Sequence, residues 1–181
     1  FVLQGKVIRE YNVLNANGRD PLLVGKPTKE EISNAKRLEA VRLGMKHAWD
    51  GYVKHAWGHD ELRPLSRAGH DTMRLGATLI GSLDTLWVMG LKDEFNSARE
   101  WVRNKFDPAI NTEVDFSEVS TQVLGGLLSA YALSGDRVFL NKAIQLGERL
   151  SSAVDESSGV PYTLVNLKTG ARRNTERTQM K

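Results

Sequence analysis

A shift of 45 residues lays the middle of this chain onto itself: Leu79, Gly81, Leu83, Gly90 and Ala98 fall on Leu124, Gly126, Leu128, Gly135 and Ala143, each an identity. Both copies read as the same pair of elements. ATLIGSLDTLWVMG (77–90) is a mostly apolar helix closed by glycine, and KDEFNSAREWVRNKF (92–106) is amphipathic, with Phe95, Ala98, Trp101 and Val102 on its inner face. The second copy runs as an apolar helix from Glu118 to Leu133, a Ser134-Gly135 stop, and DRVFLNKAIQLGERLSSAV (136–154) as amphipathic partner. A hairpin of this kind buries its apolar face only by stacking on neighbours, which restricts the fold to an open α-solenoid or a closed α/α toroid. Glycines inside the inner helices cost stability relative to alanine, so they imply close helix packing, and that favours the toroid. Closing a ring takes about six or seven such units of roughly 45 to 60 residues. This chain supplies about three, so the expected architecture is all-α and an incomplete toroid.

The flanks follow the same logic. Residues 1–28, with NANGRDP and GKP turn signals, read as a lead-in segment, and residues 29–181 as one incomplete domain. Thr28 and Glu31 form a possible capping box for a long helix that carries Ile32, Leu38, Val41, Met45, Ala48, Trp49 and Tyr52 at helical spacing and ends at Gly58. HDELRPLSRAGHDTMRLG (59–76) reads as a polar loop, and YTLVNL, between turn residues, as a short β-hairpin. The chain begins on Phe without a cationic region followed by an apolar block, and closes on the polar run ARRNTERTQMK; both ends are expected to be interruptions of a longer protein.

Composition removes several classes of function. With no cysteine there is no disulfide frame, Cys-based zinc site or thiol nucleophile. The net charge of +3 is spread among interspersed acids and bases, so no nucleic-acid partner is expected. No window is apolar for long enough to span a membrane. His55 and His59 lack the Glu and third ligand of a zinc helix, so no metal site is assigned within the chain. Asp60, Glu61, Arg63 and Arg67 could form a loop salt-bridge network, Asp84 could brace a neighbouring loop, and Trp49, Trp57, Trp87 and Trp101 read as core. On a helical wheel Glu118, Gln122, Gly125 and Ser129 fall within about 40° of one another and make a narrow polar stripe on an inner helix. Taken alone, Glu118 needs no catalytic role: an acid in a first turn after Ser117 as possible N-cap is stabilised by the helix dipole.

Four blocks in order change the weight of that glutamate. KHAWDGYVKHAWGHDELRPLSRAGHD, GATLIGSLDTLWVMGLKDEFNSAREWV, SEVSTQVLGGLLSAYALSG and SGVPYTLVNLKTG resemble consecutive blocks of the class I α-1,2-mannosidases, glycoside hydrolase family 47, over residues 36 to 174, with the last block closer to the Golgi branch. The resemblance implies an (α/α)7 barrel and an inverting hydrolase that removes α-1,2-linked mannose from high-mannose N-glycans. It implies a Ca²⁺ cofactor whose ligands, like the base carboxylate, are expected beyond Lys181. It also implies a location in the Golgi or endoplasmic reticulum lumen, a membrane anchor only outside this chain, and a monomer when full length. In the family block F-E-x-x-x-R-x-x-G-G-L-L the glutamate is the catalytic acid, and SEVSTQVLGGLL sets Glu118 on it. Ser117 stands for Phe, Gln122 for Arg, and Gly81 for the usual Asp of the earlier block. Gln122 and Gly81 motivate the alternative of a non-catalytic glycan-binding or glycoprotein-degradation-recognition member. No substrate-binding residue is assigned, and the 181 residues alone are expected to be inactive and to expose large apolar helix faces.

Overall fold

The computed structural model describes residues 29–175. The lead-in 1–28, the proposed cap Thr28 and the tail 176–181 lie outside the described residues. The chain divides into two compact units, residues 1–48 and Trp49–Lys181, and the second holds the elements below apart from the first part of one helix. That helix, α1 (Lys29–Ala56), is as long as its periodicity predicts. Within residues 29–48 the expected inner face is not buried: Leu38 and Val41 are both 58% exposed. Burial begins at Trp49 and Tyr52, whose rings join Trp57 at centroid distances of 5.6 to 6.2 Å. The Tyr52 hydroxyl donates to the His59 carbonyl at 2.7 Å and accepts from Gly58 N at 3.1 Å, which fixes the chain reversal after α1. Burial pushes the pKa of this hydroxyl well above the ordinary tyrosine range, so it stays a neutral donor.

The segment read as a polar loop contains a hairpin, β1 (Glu61–Arg63) against β2 (Ala68–His70), paired Glu61↔His70 and Arg63↔Ala68. The inner helix of the first repeat is two short helices, α2 (Ala77–Gly81) and α3 (Leu83–Val88), divided at Ser82. Helix α4 (Lys92–Lys105) follows, with Phe95, Ala98 and Val102 buried as the amphipathic pattern requires. In the second repeat the inner element begins at Phe116 as one turn, α5 (Phe116–Glu118), passes through a π-helical segment (Val119–Leu124) and continues as α6 (Gly125–Ser134); α7 (Arg137–Ser151) is its partner. Gly90 and Gly135 take φ of 68° and 71°, the left-handed conformation in which each inner helix ends.

The repeats stack in register. Helix α3 packs on α6 and α4 on α7, with Phe95 tilted against Phe139 at 5.6 Å and Trp87 edge-on to Phe95 at 5.0 Å. Asp84 and Ser129, 45 residues apart and equivalent in the repeat, hydrogen-bond to each other at 2.9 Å. The tryptophans are core residues as expected: Trp49 is buried, and the other three are half-buried within packed clusters. The hairpin around YTLVNL exists as β4 (Leu164–Asn166) and β5 (Arg172–Arg173), but it belongs to a three-stranded sheet. Its third strand, β3 (Glu113–Asp115), leads directly into the helix that carries Glu118.

Candidate functional site

Glu118 is held by the junction of that sheet with its helix. Strand β3 pairs antiparallel with β4 through Asp115↔Leu164, and Phe116 N extends the ladder by donating to the Thr163 carbonyl at 2.9 Å. The ladder keeps Asp115 extended, at φ −73° and ψ 123°, as an N-cap requires, and its Oδ1 accepts from Glu118 N at 3.0 Å. Ser117, expected as the cap, therefore lies inside the first turn. Glu118 follows Ser117 as the third residue after the cap, within the first turn, where the positive end of the helix favours an anion. Its side chain is exposed, and among the described residues its carboxylate accepts no hydrogen bond.

The polar stripe does not survive the π-helical segment. Bonds from i to i+5 add a residue to the turn, so a wheel drawn at about 100° per residue loses register across it. Glu118 and Gln122 remain on a common cavity. Ser129 turns away and donates to Asp84 Oδ2, which means that Asp84 braces the neighbouring helix rather than a loop. At the junction where the π-helical bonding begins, the Thr121 hydroxyl donates to the carbonyls of Ser117 and Glu118, at 2.9 and 3.2 Å.

The cavity, of about 230 Å³, is lined by Glu118 and Gln122 together with residues of the preceding chain: Asp60, Glu61, Thr72, Met73, Ala77 and Thr78. That part of the chain is organised by Asp60. Its side chain, 1% exposed, accepts five backbone N–H groups: Thr72, Met73 and Arg74 at Oδ2 (2.9, 2.7 and 2.5 Å), Leu75 and Ala77 at Oδ1 (2.9 and 3.1 Å). Burial pushes its pKa up, but the N–H groups of Met73, Ala77, Arg74 and Leu75 outweigh burial and hold it below the usual carboxylate value. The expected Asp60–Glu61–Arg63–Arg67 salt-bridge network is absent among the described residues. Buried Asp60 is satisfied by backbone, and Glu61 lies 3.3 Å from His70 Nδ1 across the β1–β2 hairpin. Sequence reasoning missed this clamp. Its signal was a segment, 71–77, whose backbone donors had no helix or strand to enter, with an aspartate at its base.

His59 and His70 each lie beside an acid. His59 Nδ1 lies 3.0 Å from Asp71 Oδ2, and no three His, Asp or Glu side chains among the described residues are placed to hold a metal ion. No helix among the described residues is long and apolar enough to cross a membrane.

Comparison with known proteins agrees with the sequence blocks. Residues 44–181 match the model of glycosyl hydrolase family 47. The chain is 44% identical over 150 residues to mouse mannosyl-oligosaccharide 1,2-alpha-mannosidase IB, an alignment covering 80% of this chain and 23% of that protein. It is 51% identical over 124 residues to the human endoplasmic reticulum mannosyl-oligosaccharide 1,2-alpha-mannosidase, covering 68% of this chain and 18% of that one. Among solved structures it resembles the alpha-1,2-mannosidase from Trichoderma reesei, with a TM-score of 0.67 and 27% identity over 78% of this chain and 32% of that chain. The chain thus spans about a quarter of the length of the curated relatives it matches.

Proposed function

This chain belongs to glycosyl hydrolase family 47, and from that premise we propose that it forms part of an α-1,2-mannosidase acting on terminal α-1,2-linked mannose of high-mannose N-glycans, with Glu118 as the general acid. The observation that carries the reading is local. Glu118, which the family block sets on the acid, opens a helix whose next turn, at Gln122, lines the same sugar-sized cavity. A carboxylic acid there can donate its proton to the glycosidic oxygen as the bond to the leaving sugar breaks. In an inverting reaction a second carboxylate, about 6.5–9.5 Å away, activates the water that attacks the other face of the ring. That base is assigned outside this chain. A Ca²⁺ ion belongs to the same reading, but the described side chains do not assemble a site for it, so none is assigned to it and no step runs through it. The setting that goes with these relatives is the lumen of the secretory pathway, endoplasmic reticulum or Golgi.

The test is a chimaera in which residues 49–175 replace the matching segment of the Trichoderma reesei enzyme. Released mannose is followed by NMR on an α-1,2-linked disaccharide. The expected first product is the β anomer, and Glu118→Gln should lower kcat by about 10²–10⁴-fold. Hydrolysis that survives Glu118→Gln would remove the acid from this position. Binding of the disaccharide without hydrolysis in an otherwise folded chimaera would favour a glycan-recognition role.

A further inference from the structure

The wall of the cavity that precedes Glu118 in the chain has little regular structure of its own. Thr72 and Met73 lie in the irregular stretch between β2 and α2, where Arg74 at φ 59° and Gly76 at φ 68° make two left-handed turns within three residues. Such a stretch cannot satisfy its own donors, and Asp60 takes five of them. The remaining polar groups of residue 60 bind the same stretch. Its N–H donates to Asp71 Oδ1 at 3.1 Å, and its carbonyl accepts from Thr78 N and Oγ1 at 3.1 and 2.6 Å. Thr78 belongs to α2, which also carries Ile80, and a Cβ built on Gly126 would lie 2.9 Å from the Ile80 carbonyl. Residue 60 is thereby linked through close-packed backbone to the helix that contains Gln122 and Glu118.

We propose that Asp60 is the positioning residue of the Glu118 cavity, its carboxylate occupying a five-donor backbone nest and so fixing the Thr72–Met73 wall relative to Glu118 and Gln122. Asp60 does not touch a sugar in this role, because both its oxygens are engaged by backbone. The nest is an anion-binding concavity filled from within. One consequence follows that ordinary core packing does not share: a small carboxylate from solution can replace the missing side chain. The proposal rests on the Glu118 cavity being the sugar site, and the experiment separates the two ideas.

Asp60→Ala and Asp60→Asn, each made in the chimaera described above, are compared by NMR with the chimaera carrying the unaltered chain, without ligand and with methyl α-mannoside, in sodium formate and in sodium chloride at equal ionic strength. Without ligand, both variants should raise amide exchange at Thr72–Ala77 by about 10- to 100-fold and move the Gln122 side-chain amide resonances. Formate, and not chloride, should reverse both changes in Asp60→Ala. In Asp60→Asn the amide still fills the space, so formate should have no effect. Unchanged exchange, an unmoved Gln122 amide, or recovery that formate and chloride produce equally would each overturn the positioning role. The mannoside titration reads the other idea: the unaltered chain should show saturable shifts at Gln122, weakened at least about tenfold in Asp60→Ala. An unaltered chain indifferent to mannoside would sink the sugar reading while the ligand-free arms still decide the role of Asp60.

Discussion

Asp60 loses water and gains five N–H donors, and the donors prevail: its carboxyl titrates below the usual value. A depressed folded-state pKa adds stability that is present above the unfolded value, about 3.9, and is lost as pH falls through the folded value. Asp136, lowered chiefly by its hydrogen bond from Arg99, contributes with the same sign. Asp60→Asn removes the charge and turns donors toward donors, which should cost about 2–4 kcal/mol at neutral pH. Thermal unfolding followed by circular dichroism should show that gap shrinking as pH falls below about 4; a gap independent of pH would contradict a charged native Asp60. The two repeat-equivalent glycines make the opposite kind of test. A Cβ on Gly126 would meet the Ile80 carbonyl at 2.9 Å, whereas a Cβ on Gly81 meets nothing within 4 Å. Gly126→Ala should destabilise by about 1–3 kcal/mol, while Gly81→Ala should stabilise by about 0.5–1 kcal/mol, both measured by urea unfolding. Equal effects would mean that the two positions are packed alike.

At the scale of the element, the helix of Glu118 starts where a strand delivers an extended aspartate to its cap position. Asp115→Ala removes the cap and should cost about 1 kcal/mol, with faster amide exchange confined to the first turn near Glu118; exchange rising equally throughout α6 would show that the cap governs the whole helix. The repeat was legible because period and glycine stops are local signals: Phe95, Ala98 and Val102 write the face of α4, and Gly90 and Gly135 write the ends of α3 and α6. The sheet was half legible. YTLVNL carries alternation and turns, but EVD, the strand it pairs with, is too short to announce itself and gains its register only from Leu164–Asn166. Nothing in VSTQVL announces an extra residue in the turn, and so Ser129 was read onto the wrong face. Glu118 came from the order of the sequence blocks. Asp60 was legible only as a possible salt-bridge partner, because its role as a backbone acceptor depends on donors more than ten positions away that only tertiary structure brings to one carboxylate.

Across the molecule, stacked repeats make burial depend on position in the stack. Leu83 and Leu128 are equivalent by the 45-residue shift, yet Leu83 is fully buried and Leu128 is 44% exposed. Ile144 on α7 is 51% exposed and Val88 on α3 67%. Apolar side chains left open on consecutive helices are a surface that seeks cover, and in the absence of other protein the available cover is another copy or a hydrophobic dye. The chain in isolation should therefore bind anilinonaphthalene sulfonate and sediment as concentration-dependent assemblies. A Leu128→Gln/Ile144→Gln double variant should reduce both signals, because these two side chains come from the paired helices of one hairpin, and should leave the stability of the Phe95–Phe139 core within about 0.5 kcal/mol. Sedimentation velocity with parallel dye fluorescence reads the outcome. A monodisperse chain that ignores the dye and unfolds in one sharp transition would show that the exposed faces are tolerated, and that two stacked hairpins with their sheet suffice for an independent fold.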